Sequence, residues 1–277
     1  MDILKIKEHL QETFDFWENA NTAKGSDIKE LYESSVIPYL NDAESFKLYR
    51  YFPVNYNNIR NIVKHRLSLS NGRIINDVFD GLPAGNVRSD QIDLLRSFAK
   101  IIRFYEKWDN PLLWSNYGDS FSGICVEYDL RKLSDREILK YLYPIIYRET
   151  RPVRDINDIC LSIKELNQAI RDNEQIDTSG ALEEILPLFI VKSSVWSYEN
   201  EWRIIITEKD LYDDYLKQKD YYDFPCITGI YLGARMDKNL QDDLIENLKA
   251  ECPGLSIYKT FLCDSNSYKL ESMLIDS

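Results

Sequence analysis

Apolar residues recur at helical spacing from the start of the chain, where Leu4, Ile6, Leu10, Phe14 and Trp17 form one stripe. The pattern predicts a helix up to about Trp17, a polar break over Asn19 to Ser26, and a second helix through Ile28, Leu31 and Tyr32. Phe46-Lys47-Leu48-Tyr49-Arg50-Tyr51 alternates like a strand and stops at Pro53. Ile59, Ile62 and Val63 place a helix over Asn57 to Lys64, and Leu67-Ser68-Leu69 reads as a short strand closed by the turn dipeptide Asn71-Gly72. Asn76 to Gly85 is loop-like, Gln91 to Lys107 reads as one long helix, and Pro111 opens a short helix through Leu113, Trp114 and Tyr117. Gly123 to Tyr128 is a strand, and Ser134-Asp135-Arg136-Glu137 fits a capping box that starts a helix. Pro144 to Tyr147 is a short strand, with helices over Ile156 to Asn173 and Ala181 to Lys192.

Strand and helix then alternate. Trp202 to Thr207 is a strand, Asp210 to Lys219 a helix, Cys226 to Leu232 a strand closed by Gly233, and Leu240 to Ala250 a helix stopped at Gly254. Leu255 to Phe261 and Tyr268 to Leu274 are the last strands. No repeat or Pro/Gly-rich linker divides the chain. The expectation is an α+β fold: a single mixed-sheet domain over 1–277, with a helical N-terminal extension (1–40) and a helical insertion (134–193).

The densest chemistry lies in Trp196-Ser197-Tyr198-Glu199-Asn200-Glu201-Trp202-Arg203, which leads into Ile204-Ile205-Ile206. In an extended chain residues two apart share a face, so Glu199, Glu201 and Arg203 would project together, away from Tyr198, Trp202 and Ile204. Two close carboxylates drive one pKa up, and a neighbouring arginine pulls it back. That spacing can serve a poised acid and base, but taken alone it favours a solvated charged face on an edge strand, neutralised by Arg203.

Bulk properties narrow the function. With 277 residues, 44% of them hydrophobic, the chain has ample material for a core. A formal net charge of -12 argues against non-specific DNA binding and against a membrane surface as partner, since both need a basic face. One stretch, Lys47 to Asn76, has no Asp or Glu but holds Lys47, Arg50, Arg60, Lys64, Arg66 and Arg73, which suits either an anionic ligand or acidic surface elsewhere in the fold. The five cysteines are scattered and odd in number, which points to reduced thiols and a cytoplasmic setting. With only His9 and His65 available, no zinc site is expected. The N-terminus carries Asp2, Glu8 and Glu12 and is not a signal peptide, and no apolar run is long enough to span a membrane.

Three further features bear on a site. Asn76-Asp77-Val78-Phe79-Asp80 sets two carboxylates and an amide in one loop, either as oxygen ligands or as a turn bonded to its own backbone. Trp114 and Tyr117 share a helix face that could stack on a flat ring or simply fill the core. Arg50, between Tyr49 and Tyr51, lies on a strand expected to be central and needs a carboxylate or a bound phosphate there. No Ser-His-Asp or Cys-His set, P-loop or GxGxxG occurs.

Four blocks give a family resemblance: Leu48 to Tyr51; Asn76 to Asp80; Leu113 to Gly118 leading into Gly123 to Tyr128; and Trp196 to Arg203, with Ile230 to Gly233 as a late companion. In this order they resemble a bacterial family of unknown function, family 2971, except that Val78 stands where that family usually has Pro. The first forty residues lie outside the resemblance. The order Arg50, Ser115 or Ser122, then Glu199-x-Glu201 is also similar to the arginine-serine-glutamate ADP-ribosyltransferases, although no Ser-Thr-Ser motif is present. That similarity implies NAD as substrate. Arg50 and Tyr49 would hold the cofactor with Ser115, and Trp114 or Tyr117 would stack on nicotinamide. Glu201 would stabilise the sugar cation and Glu199 would orient or deprotonate the acceptor. Three function classes therefore stand: an NAD-dependent transferase or glycohydrolase, such as a toxin or defence effector; a non-catalytic module binding a nucleotide-like small molecule; and a metal-dependent nuclease built from Asp77, Asp80, Glu199 and Glu201.

Overall fold

The computed structural model describes residues 3–19, 25–42, 44–68, 70–71, 77–134, 136–172, 179–207, 221–263 and 267–276. The chain begins with α1 (Ile3–Asn19), α2 (Gly25–Asp42), β1 (Lys47–Phe52), α3 (Tyr56–Val63), β2 (Arg66–Ser68) and β3 (Ser70–Asn71). It continues with α4 (Ser89–Phe98), β4 (Ala99–Tyr105), α5 (Pro111–Asn116) and β5 (Ile124–Asp129). Next come β6 (Leu142–Pro144), β7 (Ile146–Arg148), α6 (Ile156–Asp172), α7 (Ser179–Ile190), β8 (Val191–Ser193) and β9 (Glu201–Thr207). The last part holds β10 (Tyr221–Asp223), β11 (Ile227–Leu232), α8 (Lys238–Glu251), β12 (Ser256–Leu262) and β13 (Leu270–Asp276).

One large mixed sheet of nine strands organises the described residues, in the order β13-β12-β11-β5-β1-β4-β9-β6, with β3 also pairing β4. The fold class is α+β, as the pattern predicts. Only β11 and β12 run parallel, joined through α8, because a parallel pair needs a crossover; the other neighbours are antiparallel. Two small pairs, β10 with β2 and β7 with β8, lie outside the sheet.

Register assigns the two faces. Cross-strand partners point to one side, and Tyr49 lies opposite both Tyr105 and Glu127, while Tyr105 lies opposite Glu201. One face therefore carries Tyr49, Tyr51, Arg103, Tyr105, Glu127, Glu201 and Arg203. The other carries Leu48, Arg50, Phe104, Val126, Trp202 and Ile204. On that second face Leu48, Phe104, Trp202 and Ile204 join the main core with Ile6, Leu10 and Phe14 of α1 and Tyr32, Val36 and Leu40 of α2. The first face has its own aromatic cluster, in which Leu113 and Trp114 of α5 cover Tyr49, Tyr51 and Tyr105.

Several elements depart from the sequence pattern. The long helix over Gln91 to Lys107 is α4 followed directly by β4, with Ala99 already extended at φ -119°. Ile101, Ile102, Phe104 and Tyr105 suit a strand, and pairing with β1 and β9 on both sides outweighs the helical spacing. The capping-box helix is only a 3-10 turn, Glu137–Tyr141, running into β6, which adds a strand to the main sheet beside β9. Residues 134–193 thus hold α6 and α7 as expected, but also β6, β7 and β8. The expected helix at Asp210 to Lys219, and Gly72, Asn76 and Asp135, lie outside the described residues. Among those described, no helix is long and apolar enough to cross a membrane.

Candidate functional site

Strand β9 begins at Glu201, and its two-residue repeat points Glu201 and Arg203 to the same side. Just before it, Ser194–Glu199 forms a 3-10 turn, and Asn200 closes that turn in the left-handed region at φ 45°. An asparagine tolerates that conformation better than most residues. The turn returns Glu199 towards Glu201, so the pair stays together although Glu199 is not in the strand.

Other segments complete a buried charge network. Arg203 donates from Nη1 and Nη2 to the two oxygens of Asp80, each at 2.7 Å, in the bidentate geometry that arginine favours. Its Nε and Nη2 donate to Glu201 at 2.7 and 2.9 Å, and Nη1 also donates to the Phe189 carbonyl at 2.8 Å. Lys192, on β8, donates to Glu201 at 2.9 Å and to Glu199, and its ammonium lies 4.9 Å from the centre of the Trp196 ring. Arg103, on β4, reaches Glu201 at 3.3 Å. The Tyr117 hydroxyl, just past α5, donates to Glu199 at 2.8 Å, and the Glu201 amide donates to the Tyr147 hydroxyl at 2.9 Å.

Three carboxylates thus face three cations in a largely buried setting. Glu201 is 0% exposed and Glu199 and Asp80 are buried as well. Burial alone would raise the Glu201 carboxyl, but the charges of Arg203 and Lys192 outweigh it and hold it well below its ordinary 4.5. Glu199 moves the other way: burial and the Glu201 charge raise it, against Lys192. The solvated edge-strand reading is corrected, because β9 lies between β4 and β6 and both glutamates are buried.

A cleft of about 330 Å3 opens onto this network. Asp80 and Lys192 belong to both, and Asp77, Phe79, Arg151 and Ser193 also line it. Asp77 is 6% exposed. Its Oδ1 accepts from the Phe79 amide at 2.9 Å, the self-bonded turn open to this loop. Its Oδ2 is buried with no hydrogen-bond partner among the described residues.

The residues of the sequence blocks are only partly brought together. Asp80, Tyr117, Glu199, Glu201 and Arg203, from three blocks, meet in the network. Arg50 does not join them. It points to the opposite face of the sheet, where its guanidinium lies 4.8 Å from the Phe52 ring centre and 5.6 Å from that of Phe104. The expectation that Arg50 and Glu201 share a cleft is therefore corrected: odd and even positions across β1, β4 and β9 put them on different sides. Tyr49 donates to Glu127 at 3.1 Å rather than to the network. Trp114 is core, its indole N–H donating to the Trp108 carbonyl at 2.7 Å, and Ser115 is exposed on α5. Tyr117 stacks on Tyr105. The four carboxylates of the nuclease reading do not form a metal cage, since Asp80, Glu199 and Glu201 are taken up by Lys192 and Arg203. No metal-holding group of three or more His, Cys, Asp or Glu occurs among the described residues.

Lys192, Arg103 and Arg151 are the members that sequence reasoning missed. Lys192 left one signal: it directly follows the apolar run Ile185 to Val191, and a lysine buried there needs an acidic partner.

Residues 113–204 match a family described as Protein of unknown function (DUF2971). The matched segment carries Tyr117, Lys192, Glu199, Glu201 and Arg203, while Arg50, Asp77 and Asp80 lie before it. No curated protein and no solved structure matches the chain.

Proposed function

We propose that this protein is a small-molecule-binding module whose site is the cleft over Asp77, Asp80 and Lys192. The observation that carries the reading is Asp77, which lines the cleft and whose Oδ2 is buried with no hydrogen-bond partner among the described residues. Folded proteins leave few such atoms, and each costs about 1–3 kcal/mol, more when charged. A ligand that donates to Asp77 offsets that cost. The cleft falls at the lower end of the size range of small-molecule sites.

Binding is favoured over NAD cleavage by the surroundings of the two glutamates. A carboxylate that stabilises a developing sugar cation must reach the sugar, whereas Glu201 is enclosed by Arg203, Lys192 and Arg103. Arg50, which would hold the pyrophosphate, is on the far side of the sheet. NAD is one candidate ligand of the nucleotide-like class.

Thermal-shift titration tests the proposal, with millimolar panels of mononucleotides, NAD, amino acids and polyamines against wild type and Asp77→Asn. A ligand at 100 times its Kd adds about 2.7 kcal/mol. A compound that raises the wild-type melting temperature by several degrees, and that of Asp77→Asn by clearly less, supports the cleft. Equal shifts in both proteins, or none in either, overturn it. Nicotinamide release is not expected; release by wild type that Glu201→Gln abolishes while still folded at the assay temperature would restore the NAD-cleaving reading.

A further inference from the structure

Resting on that reading of the cleft, we infer that its ligand is a nucleotide with an aminated base. The lining disfavours simpler ligands, because Arg148, Lys192 and Asp80 are already ion-paired. A bare cation would satisfy Asp77 but would meet Arg151 on the same walls. A bare anion such as phosphate would suit Arg151 but would leave Asp77 without a donor. The fitting molecule separates its two characters. It offers an N–H donor to the buried carboxylate and an anionic group to Arg151, with something between them to occupy the apolar wall.

That wall supplies the third element. Phe79 is 56% exposed although it lines a cleft, and the Arg151 guanidinium lies 5.3 Å from its ring centre. A phenyl face and a planar guanidinium are both stacking surfaces for a flat heteroaromatic ring. Among the described residues Arg151 makes no ion pair and lies on the cleft wall beside Phe79, so its charge is available to a phosphate. Asp77 and Phe79 are two residues apart in one turn, which the Phe79 amide to Asp77 Oδ1 hydrogen bond ties together. The donor-binding atom and the stacking ring are thereby fixed relative to one another. On binding, Asp77 Oδ2, which is shielded in the ligand-free protein, opens to the base amine, with the ring on Phe79 and the phosphate at Arg151.

Calorimetric titration of the full chain tests this with AMP, GMP and CMP, and with purine riboside 5′-monophosphate, which keeps the ring and phosphate of AMP but drops the amine. Inorganic phosphate and spermidine probe the two charges alone. AMP, or another of the aminated nucleotides, is expected to bind. For AMP, loss of the amine should weaken binding about 10- to 100-fold, the scale of one hydrogen bond to a charged group. Asp77→Asn should bring AMP and its amine-free analogue to within about threefold of each other. Phe79→Ala should weaken binding about 5- to 150-fold, the range for a lost stacking partner, while its melting temperature confirms folding. Failure of AMP, GMP and CMP alike overturns the nucleotide assignment. If spermidine then binds wild type but not Asp77→Asn, only the ligand class was wrong. If no probe binds and Asp77→Asn is no more stable than wild type, the cleft reading falls with it.

Discussion

Asp77→Asn separates a residue kept for a ligand from one kept for the fold. The substitution preserves Oδ1, and with it the 2.9 Å bond from the Phe79 amide. It replaces the unpartnered, charged Oδ2 with a neutral amide nitrogen, which is easier to bury. An unsatisfied buried polar group costs about 1–3 kcal/mol, and the amide removes part of that, so a gain of about 1 kcal/mol is expected in the ligand-free protein. For a chain of this size, that corresponds to a melting temperature about 2–4 °C higher. Asp77→Ala is the control. It also removes the bond to the Phe79 amide, which is worth about 0.5–1.5 kcal/mol, and should fall below Asp77→Asn. Scanning calorimetry and urea unfolding give both values. A drop of 2 °C or more in Asp77→Asn would refute the reasoning. It would mean that the Asp77 charge offsets Arg148 and Arg151 across the cleft and belongs to the structure.

The remaining predictions concern the charge network. Glu201→Gln leaves Arg203, Lys192 and Arg103 facing two carboxylates instead of three, and should cost about 3–5 kcal/mol; calorimetry should show a melting temperature lower by roughly 6–20 °C. A fully stable Glu201→Gln would mean the network is not the clamp described. With pH, the depressed Glu201 and Glu127 carboxyls contribute stability that is present above their ordinary 4.5 and is lost as pH falls through their lowered folded values. Glu199, raised in the fold, contributes in the opposite sense: full below 4.5 and lost as pH rises through its folded value. Urea unfolding between pH 3 and 7 should therefore show stability decreasing on the acid side, and Glu199→Gln should remove the component lost above pH 4.5; an unchanged slope there in the mutant would count against this assignment.

How far the sequence went can be traced residue by residue. Local periodicity reported strands β1, β5, β9, β11, β12 and β13 and most helices, because each has an apolar pattern of its own. It misread β4, whose spacing fits both periods until pairing with β1 and β9 decides. The Glu199–Glu201–Arg203 grouping was legible because neighbours in sequence remain neighbours in space. Its partners were not, since Asp80 and Lys192 reach it from a loop and a strand that no local rule connects to β9. Arg50 fails for the same reason. Its strand was correctly identified, but which face it shares with Glu201 depends on the register across two further strands. The unpartnered Oδ2 of Asp77 has no sequence signature at all.

Network and cleft are coupled through the four-residue stretch Asp77 to Asp80. Asp80 is clamped by two bonds from Arg203, which Glu201 holds in turn, and Asp77 and Phe79 precede Asp80 in the same loop. The Asp80 amide also donates back to the Asp77 carbonyl at 3.2 Å. A ligand-binding turn gains from a rigid support of this kind, because misplacement of the contact atoms by about 1 Å is enough to weaken a site. Arg203→Lys tests the coupling. A lysine keeps the charge but has no fork, so it cannot hold both Asp80 oxygens and Glu201 at once. The variant should lose stability, and it should also lose affinity at a cleft that Arg203 does not line. Calorimetric titration well below the variant's melting temperature separates the two effects. Affinity that remains at the wild-type value in a destabilised Arg203→Lys would show that the loop keeps its shape without the clamp, and that the charge network serves the fold alone.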